Sequence, residues 1–112
     1  MILDIMDDKD LEPGLAAKGR DGGSWRRPIW KDEGDAGTIV AVWKAEPGVY
    51  DYPARPIEET FVVFEGEAIC TLGSAAAVRL KPGSIVRVPK GSPISLEVLT
   101  PFRKLATVVP KP

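Results

Sequence analysis

The clearest strand pattern of the chain is Pro82-Gly-Ser-Ile-Val-Arg-Val-Pro-Lys-Gly-Ser-Pro-Ile-Ser-Leu-Glu-Val98. Pro82-Gly83 predicts a turn, and the β-branched run from Ile85 to Val88 predicts a buried strand. Pro89-Lys90-Gly91 predicts a second turn. From Ile94 to Val98, apolar residues alternate with polar ones at the period of two that is typical of a half-buried strand. The stretch therefore predicts turn, strand, turn, strand.

The same organisation extends over residues 38–112. Turn signals recur about every 8 to 12 residues, and no helical period persists beyond one turn. Glu65-Gly66-Glu67 is interpreted as the tip of a hairpin. The sequence therefore predicts an all-β domain, an antiparallel sandwich or barrel. The other predicted strands are Thr38–Trp43, Val49–Tyr52, Thr60–Phe64, Ala68–Leu72, Ala75–Leu80 and Arg103–Val109.

Residues 1–37 are expected to form an arm that packs on the barrel or on a partner subunit. Ile2–Ile5 is a candidate edge strand, and the helical propensity of Leu11–Lys18 is interrupted by a Pro-Gly pair. Trp25 and Trp30 are interpreted as a cover for the open end of the barrel or as a subunit contact. Because an arm of this length can extend a neighbouring sheet, we expect a homodimer.

The composition excludes several classes of partner. Fifteen basic and sixteen acidic residues nearly cancel and are interspersed, so we expect no nucleic-acid partner. The cluster of Arg26 and Arg27 with Lys31 is interpreted as a solvated loop. Cys70 has no second cysteine to pair with, no secretion signal is recognisable, and no apolar run approaches the ~18 residues of a membrane span. We therefore expect a soluble cytoplasmic protein.

The absence of histidine excludes large classes of enzyme. Without an imidazole, the chain cannot build a Ser-His-Asp or Cys-His catalytic site. It also cannot build an ordinary zinc or non-haem iron site with imidazole ligands.

Four segments carry a family resemblance, which spans about residues 38–109. The segments are Trp43-Lys-Ala-Glu-Pro-Gly48, Glu59-Thr-Phe-Val-Val-Phe-Glu-Gly66, Pro82-Gly83 through Pro89-Lys-Gly91, and Pro101-Phe-Arg-Lys104. In this order and spacing they resemble a small single-domain cupin, which implies a double-stranded β-helix, the cupin jelly-roll barrel. More narrowly, they resemble the ureidoglycine aminohydrolase-type cupin family, much of which has no known function and which includes a protein of ethanolamine utilisation.

The metal-binding positions of the cupin motifs are altered. Gly83, Pro89 and Gly91 fit the second motif, G-x5-P-x-G, but its histidine position holds Ile94 and its asparagine position holds Val98. The first motif, G-x5-H-x-H-x3,4-E-x6-G, matches only at Glu59 and Gly66. Its two histidine positions fall near Tyr52 and Ala54 or near Pro53 and Arg55. One carboxylate holds a metal poorly, so we expect no metal and no cofactor, although the aminohydrolases that this chain resembles are manganese-dependent.

Glu59 is the candidate catalytic residue. If its side chain points into the barrel, Phe61 and Val63 share its face. Burial would then raise the pKa of Glu59 towards a value useful for general acid or base chemistry, unless Lys104 or an arginine pairs with it and lowers the pKa. Alternatively, Glu59 only satisfies backbone donors or an arginine such as Arg87 or Arg103.

Five further residues are candidates for ligand binding: Tyr52, Phe61, Cys70, Ile94 and Lys104. By the resemblance, Lys104 corresponds to a lysine near the substrate pocket and suits a carboxylate ligand; alternatively, its side chain extends from an edge strand into solvent. Tyr52 either hydrogen-bonds a ligand at the barrel mouth or packs over the rim. Cys70 is interpreted as a small buried apolar residue, because no histidine exists to activate a thiolate.

Two functions follow. The first is a metal-free cupin that binds a small anionic metabolite in an apolar cavity, with Glu59, Tyr52 and Lys104 as polar contacts. The alternative is a small amidohydrolase, lyase or isomerase of ureide or amine catabolism. In that enzyme Glu59 would act as acid and base, and Lys104 would position the substrate.

Overall fold

The computed structural model describes residues 2–31 and 37–111, and in this part of the chain every regular element is a strand. The all-β prediction is therefore confirmed. The strands are β1 (Glu12–Pro13), β2 (Ser24–Lys31), β3 (Ile39–Ala45), β4 (Gly48–Tyr52), β5 (Ile57–Glu65), β6 (Ala68–Leu72), β7 (Val78–Leu80), β8 (Ile85–Val88), β9 (Ile94–Val98) and β10 (Phe102–Pro110).

The strands form two antiparallel sheets that face each other. The larger sheet has the order β1-β2-β3-β10-β5-β8, and the smaller one has the order β4-β9-β6-β7. From β3 to β10 the chain passes from one sheet to the other at every connection except the one between β6 and β7. Strands that are distant in sequence therefore become neighbours, and β10 lies between β3 and β5.

The interpretation of Glu65-Gly66-Glu67 as a hairpin tip is wrong. β5 pairs with β10 and β8, whereas β6 pairs with β9 and β7, so this segment carries the chain between the sheets. Gly66 has a φ of 85°, and a Cβ built there would overlap the carbonyl oxygen of Pro101. The crossing therefore requires a residue without a side chain.

The N-terminal residues lie against the barrel of the same chain. β2 pairs with β3 along its length, and Trp25 and Trp30 belong to this strand. The predicted edge strand at Ile2–Ile5 is wrong, since these residues form no strand, and Leu11–Lys18 contains β1 and no helix. Residues 1, 32–36 and 112, part of them in the predicted arm, lie outside the described residues.

The segment before β1 crosses the outer face of the larger sheet. Arg103 donates a hydrogen bond to the carbonyl oxygen of Ile5 (3.0 Å) and contacts the carboxylate of Asp8 (2.7 Å). Lys44 contacts the same carboxylate at 2.8 Å. These contacts hold residues 5–8 over the two central strands β3 and β10.

The core fills the space between the two sheets. Its most buried large side chains include Tyr50, Phe61, Leu96 and Phe102, each at most 1% exposed. Trp43 packs edge-to-face on Tyr50 and Phe102, with ring centroids 5.2 and 6.0 Å apart. The described part of the chain has no helix long and apolar enough to cross a membrane.

Candidate functional site

The alternation of β5 places Glu59 inside the barrel. Glu59, Phe61 and Val63 point to the interior and are 5%, 1% and 1% exposed, while Glu58 and Thr60 face outward. A glutamate in a row of core side chains is expensive to bury unless a partner satisfies it. Its surroundings therefore decide what this position does.

Lys104 is the first partner of Glu59. Its Nζ lies 2.7 Å from Oε2 of Glu59, and both side chains are less than one-tenth exposed. The ammonium also lies 4.0 Å from the ring centroid of Phe61 and 5.2 Å from that of Trp43. The alternative that Lys104 extends into solvent is wrong, because β10 is an interior strand of the larger sheet and not an edge.

Arg55 is the second partner of Glu59. It lies between β4 and β5, and its Nη2 donates a hydrogen bond to Oε1 of Glu59 at 3.1 Å. The expected partners Arg87 and Arg103 do not contact Glu59. They occupy outward-facing positions of the larger sheet, where Arg87 contacts Glu58 and Arg103 contacts Asp8.

The two cations keep Glu59 ionised. Burial alone would raise the pKa of Glu59, but Lys104 and Arg55 together outweigh burial and hold it below its ordinary value. Burial lowers the pKa of Lys104, against the attraction of Glu59. Both oxygens of Glu59 accept hydrogen bonds from cations, which lowers the basicity of the carboxylate. Glu59 is therefore a weak general base in this state.

A cavity of about 360 Å³ opens next to this ion pair. Apolar side chains of both sheets form much of its wall, among them Ile39, Ala41, Ile94 and Leu96. Its ionisable lining residues within the described chain are Arg26, Tyr52, Arg55, Glu59 and Lys104. The cavity therefore combines an apolar wall with three cations and one carboxylate.

Tyr52 and Trp43 place two further polar groups at this cavity. Burial, and next the charge of Glu59, raise the pKa of Tyr52 to about 12, so its hydroxyl remains protonated. Nε1 of Trp43 is buried and has no hydrogen-bond partner among the described residues. The rings are in contact, with centroids 6.4 Å apart and planes at 69°.

The structure brings together some of the predicted site residues. Glu59, Tyr52, Ile94 and Lys104 line this cavity. Phe61 lies beneath Lys104 and is only 1% exposed, so it supports the ion pair without lining the cavity.

Cys70 is not among the residues that line this cavity. It lines a separate cavity of about 270 Å³ between β7 and β8. Burial raises the pKa of its thiol, which keeps the sulfur in its less reactive protonated form.

Sequence patterns did not identify Arg26, Trp43 and Arg55 as cavity residues. Arg26 lies in β2 rather than in a solvated loop, and it pairs with Trp43 in β3. The order Trp43-Lys44-Ala45 at the end of β3 is a signal that could have been found, because its one polar residue lies between two buried ones. Arg55 lies in an irregular proline-rich segment, where no periodicity predicts the direction of a side chain.

A metal site of the kind known in other cupins does not fit these residues. Both oxygens of Glu59 accept from cations, and a metal ion placed there would be repelled by Lys104 and Arg55. In residues 2–31 and 37–111, no three His, Cys, Asp or Glu side chains come together as a metal site.

Comparisons with known proteins identify the fold. Residues 33–106 match the sequence profile of the EutQ-like cupin domain, and no curated protein matches the chain. Three solved structures are similar over most of its length. One is a putative ethanolamine utilization protein Q from Salmonella typhimurium, with 18% identity and a TM-score of 0.73 over 95% of this chain and 85% of that one.

The second is a predicted oxalate decarboxylase from Thermotoga maritima, with 19% identity and a TM-score of 0.73 over 89% of this chain and 91% of that one. The third is the Schizosaccharomyces pombe Cnp3 cupin domain, with 17% identity and a TM-score of 0.70. That likeness covers 79% of this chain and 65% of the other. These similarities show the fold alone, and they confirm the predicted double-stranded β-helix.

Proposed function

The chain belongs to the EutQ-like cupin family, and we propose that it binds a small organic carboxylate in the cavity beside Glu59. The observation that carries this proposal is the charge of the cavity lining. Arg26, Arg55 and Lys104 line the cavity together with a single carboxylate, Glu59, among the described residues. The formal excess of positive charge attracts an anion and repels a cation.

Arg55 is the proposed anchor for the ligand. Its side chain is 33% exposed, and its recorded hydrogen bond to Glu59 uses one of the five N–H donors of a guanidinium. The fork of a guanidinium matches the two oxygens of a carboxylate. Glu59 would fix the direction of Arg55, and Lys104 would neutralise Glu59 from below.

The apolar wall limits the size and polarity of the part of the ligand beyond its carboxylate. A cavity of about 360 Å³ suits a metabolite of a few carbon atoms with one charged end. Ethanolamine, the compound in the description of the Salmonella protein, is a cation at neutral pH. We therefore propose that this cavity does not bind ethanolamine itself.

A thermal-shift experiment tests the proposal with propionate and ethanolamine as probes at equal ionic strength. Propionate at ten times its dissociation constant should stabilise the protein by about 1.4 kcal/mol, or about 6 °C, and ethanolamine should have no effect. Arg55→Gln should abolish the shift. Arg79→Gln is the matched control, because Arg79 is exposed and pairs with Glu67 away from the cavity. Equal shifts in wild type and Arg55→Gln would contradict the proposal.

The second candidate function is catalysis on a ureide or an amine, with Glu59 as acid and base. It is the function that the narrower resemblance to the aminohydrolases implies. The paired state and lowered pKa of Glu59 do not favour it. Substitution Glu59→Gln separates the two functions. Loss of turnover with retained propionate binding would support the enzyme.

A further inference from the structure

We infer that the acid bound by this cavity carries a neutral oxygen acceptor beside its carboxylate, as a 2-oxo acid does, and that Tyr52 selects for it. The inference rests on the proposed carboxylate site. It adds a second point of recognition, which distinguishes one class of small acid from another.

The neighbours of Tyr52 require its hydroxyl to donate towards a ligand. Nε1 of Trp43 is a buried N–H donor without a partner in residues 2–31 and 37–111, and it lies near enough to the phenol oxygen to affect its ionisation. The other charged groups near it are Glu59, Arg55 and Arg26, and both oxygens of Glu59 already accept from cations. Because the two rings are in contact, the phenol oxygen of Tyr52 is the acceptor that we assign to this N–H.

In residues 2–31 and 37–111, the Tyr52 hydroxyl donates no side-chain hydrogen bond, and the phenol stays protonated at neutral pH. A hydroxyl that accepts from an indole N–H directs its own O–H away from that donor. Because Tyr52 lines the cavity, we place this O–H towards the bound acid.

The anchor and the selecting group are neighbours. The guanidinium carbon of Arg55 lies 5.1 Å from the centroid of the Tyr52 ring. A carboxylate held by Arg55 therefore brings its adjacent carbon close to Tyr52. A carbonyl oxygen on that carbon accepts the O–H, whereas a methylene group leaves the hydroxyl without an acceptor.

The same arrangement rejects amino acids. An ammonium group has only donors, and here it would face the O–H of Tyr52 and the N–H of Trp43. It would also be repelled by Arg26 and Arg55. We therefore expect pyruvate to bind more tightly than propionate, and alanine to bind more weakly than either.

The test measures the dissociation constants of pyruvate, propionate and alanine by titration of ¹⁵N-labelled full-length protein. The signal to follow is the indole N–H of Trp43, which is identified by its loss in Trp43→Phe. The hydrogen bond from Tyr52 to the carbonyl oxygen should make pyruvate bind about five- to tenfold more tightly than propionate. Pyruvate should also move the Trp43 signal more than propionate does.

The variant Tyr52→Phe keeps the ring and removes the hydroxyl. It should abolish the preference for pyruvate over propionate and end the larger response of the Trp43 indole signal to pyruvate. Equal weakening of both acids, or equal affinities in wild type, would overturn the role of Tyr52 and leave the carboxylate site standing. If neither acid binds wild-type protein, the carboxylate site and this inference both fail.

Discussion

Removal of Lys104 should destabilise the protein far more than removal of an exposed lysine does. In Lys104→Met, the stem of the side chain is kept and the ammonium is lost. Glu59, which is 5% exposed, then keeps one partner among the described residues, the partly exposed Arg55 at 3.1 Å. A buried carboxylate that has lost its nearer partner is the costly outcome of breaking an ion pair.

The magnitude follows from the burial of the pair. Breaking a buried ion pair by removing one partner costs about 3 to 5 kcal/mol, and the remaining contact with Arg55 places this case near the lower value. For a chain of 112 residues, about 4 °C of melting temperature corresponds to 1 kcal/mol. We therefore expect Lys104→Met to lower the melting temperature by about 12 °C.

Urea unfolding at pH 7, followed by circular dichroism, measures this change as a free energy of unfolding. Lys111→Met is the matched control, since Lys111 is 48% exposed and contacts Glu58 at 3.5 Å. An exposed pair of this kind contributes at most about 1 kcal/mol. The difference between the two variants isolates the effect of burial.

The double variant Lys104→Met with Glu59→Gln decides whether the unpaired carboxylate is the cause. Neutral glutamine removes the uncompensated charge, so the double variant should recover at least half of the lost stability. The reasoning is refuted if Lys104→Met costs no more than Lys111→Met. It is also refuted if the costs of the two single substitutions simply add.

Three further outcomes are expected. First, because the pKa of Glu59 is lowered on folding, its contribution is present above the ordinary value of 4.5 and is lost as pH falls below it. Acid unfolding curves should therefore be shallower in Glu59→Gln than in wild type, and superimposable curves would contradict this. Second, Gly66→Ala should cost more than about 2 kcal/mol in urea unfolding, because both its φ of 85° and contact with Pro101 oppose a side chain. Gly83→Ala, at a φ of 93° with no atom within 4 Å of the added carbon, should cost only about 1 kcal/mol, and equal costs would disprove the contact argument. Third, elemental analysis of untagged protein should find no stoichiometric metal, whereas about one ion per chain would show that Glu59 recruits other ligands.

Much of the secondary structure could be predicted from local patterns. β6 and β9 begin and end at the predicted residues, because each is a clear run bounded by turn residues. The predicted strand Ala75–Leu80 begins three residues later, at Val78. Ala75 still belongs to a turn, in which its N–H donates to the carbonyl oxygen of Leu72. Alanine-rich segments carry too little alternation to fix a strand end.

The candidate site could be predicted only in part. Parity along β5 predicted that Glu59, Phe61 and Val63 share one face, but only the structure shows that this face is the interior. The partners of Glu59 could not be derived in this way, because Lys104 is 45 residues away and Arg55 lies in an irregular segment. An ion pair between distant positions depends on which strands become neighbours.

Local patterns and composition were enough to predict that the chain is all-β, that it resembles a cupin, and that it lacks every imidazole ligand. An apolar period of two indicates which side chains of a strand share a face, and the residue types present show which catalytic and metal-binding chemistry is excluded. The tertiary structure alone decided that β5 and β6 belong to different sheets, and that β10 inserts between β3 and β5. The physical reason is that alternation is a property of a single strand, whereas pairing depends on how all strands together bury their apolar faces. The contact between Glu59 and Lys104, and the anion-binding cavity that we propose beside it, follow from that pairing.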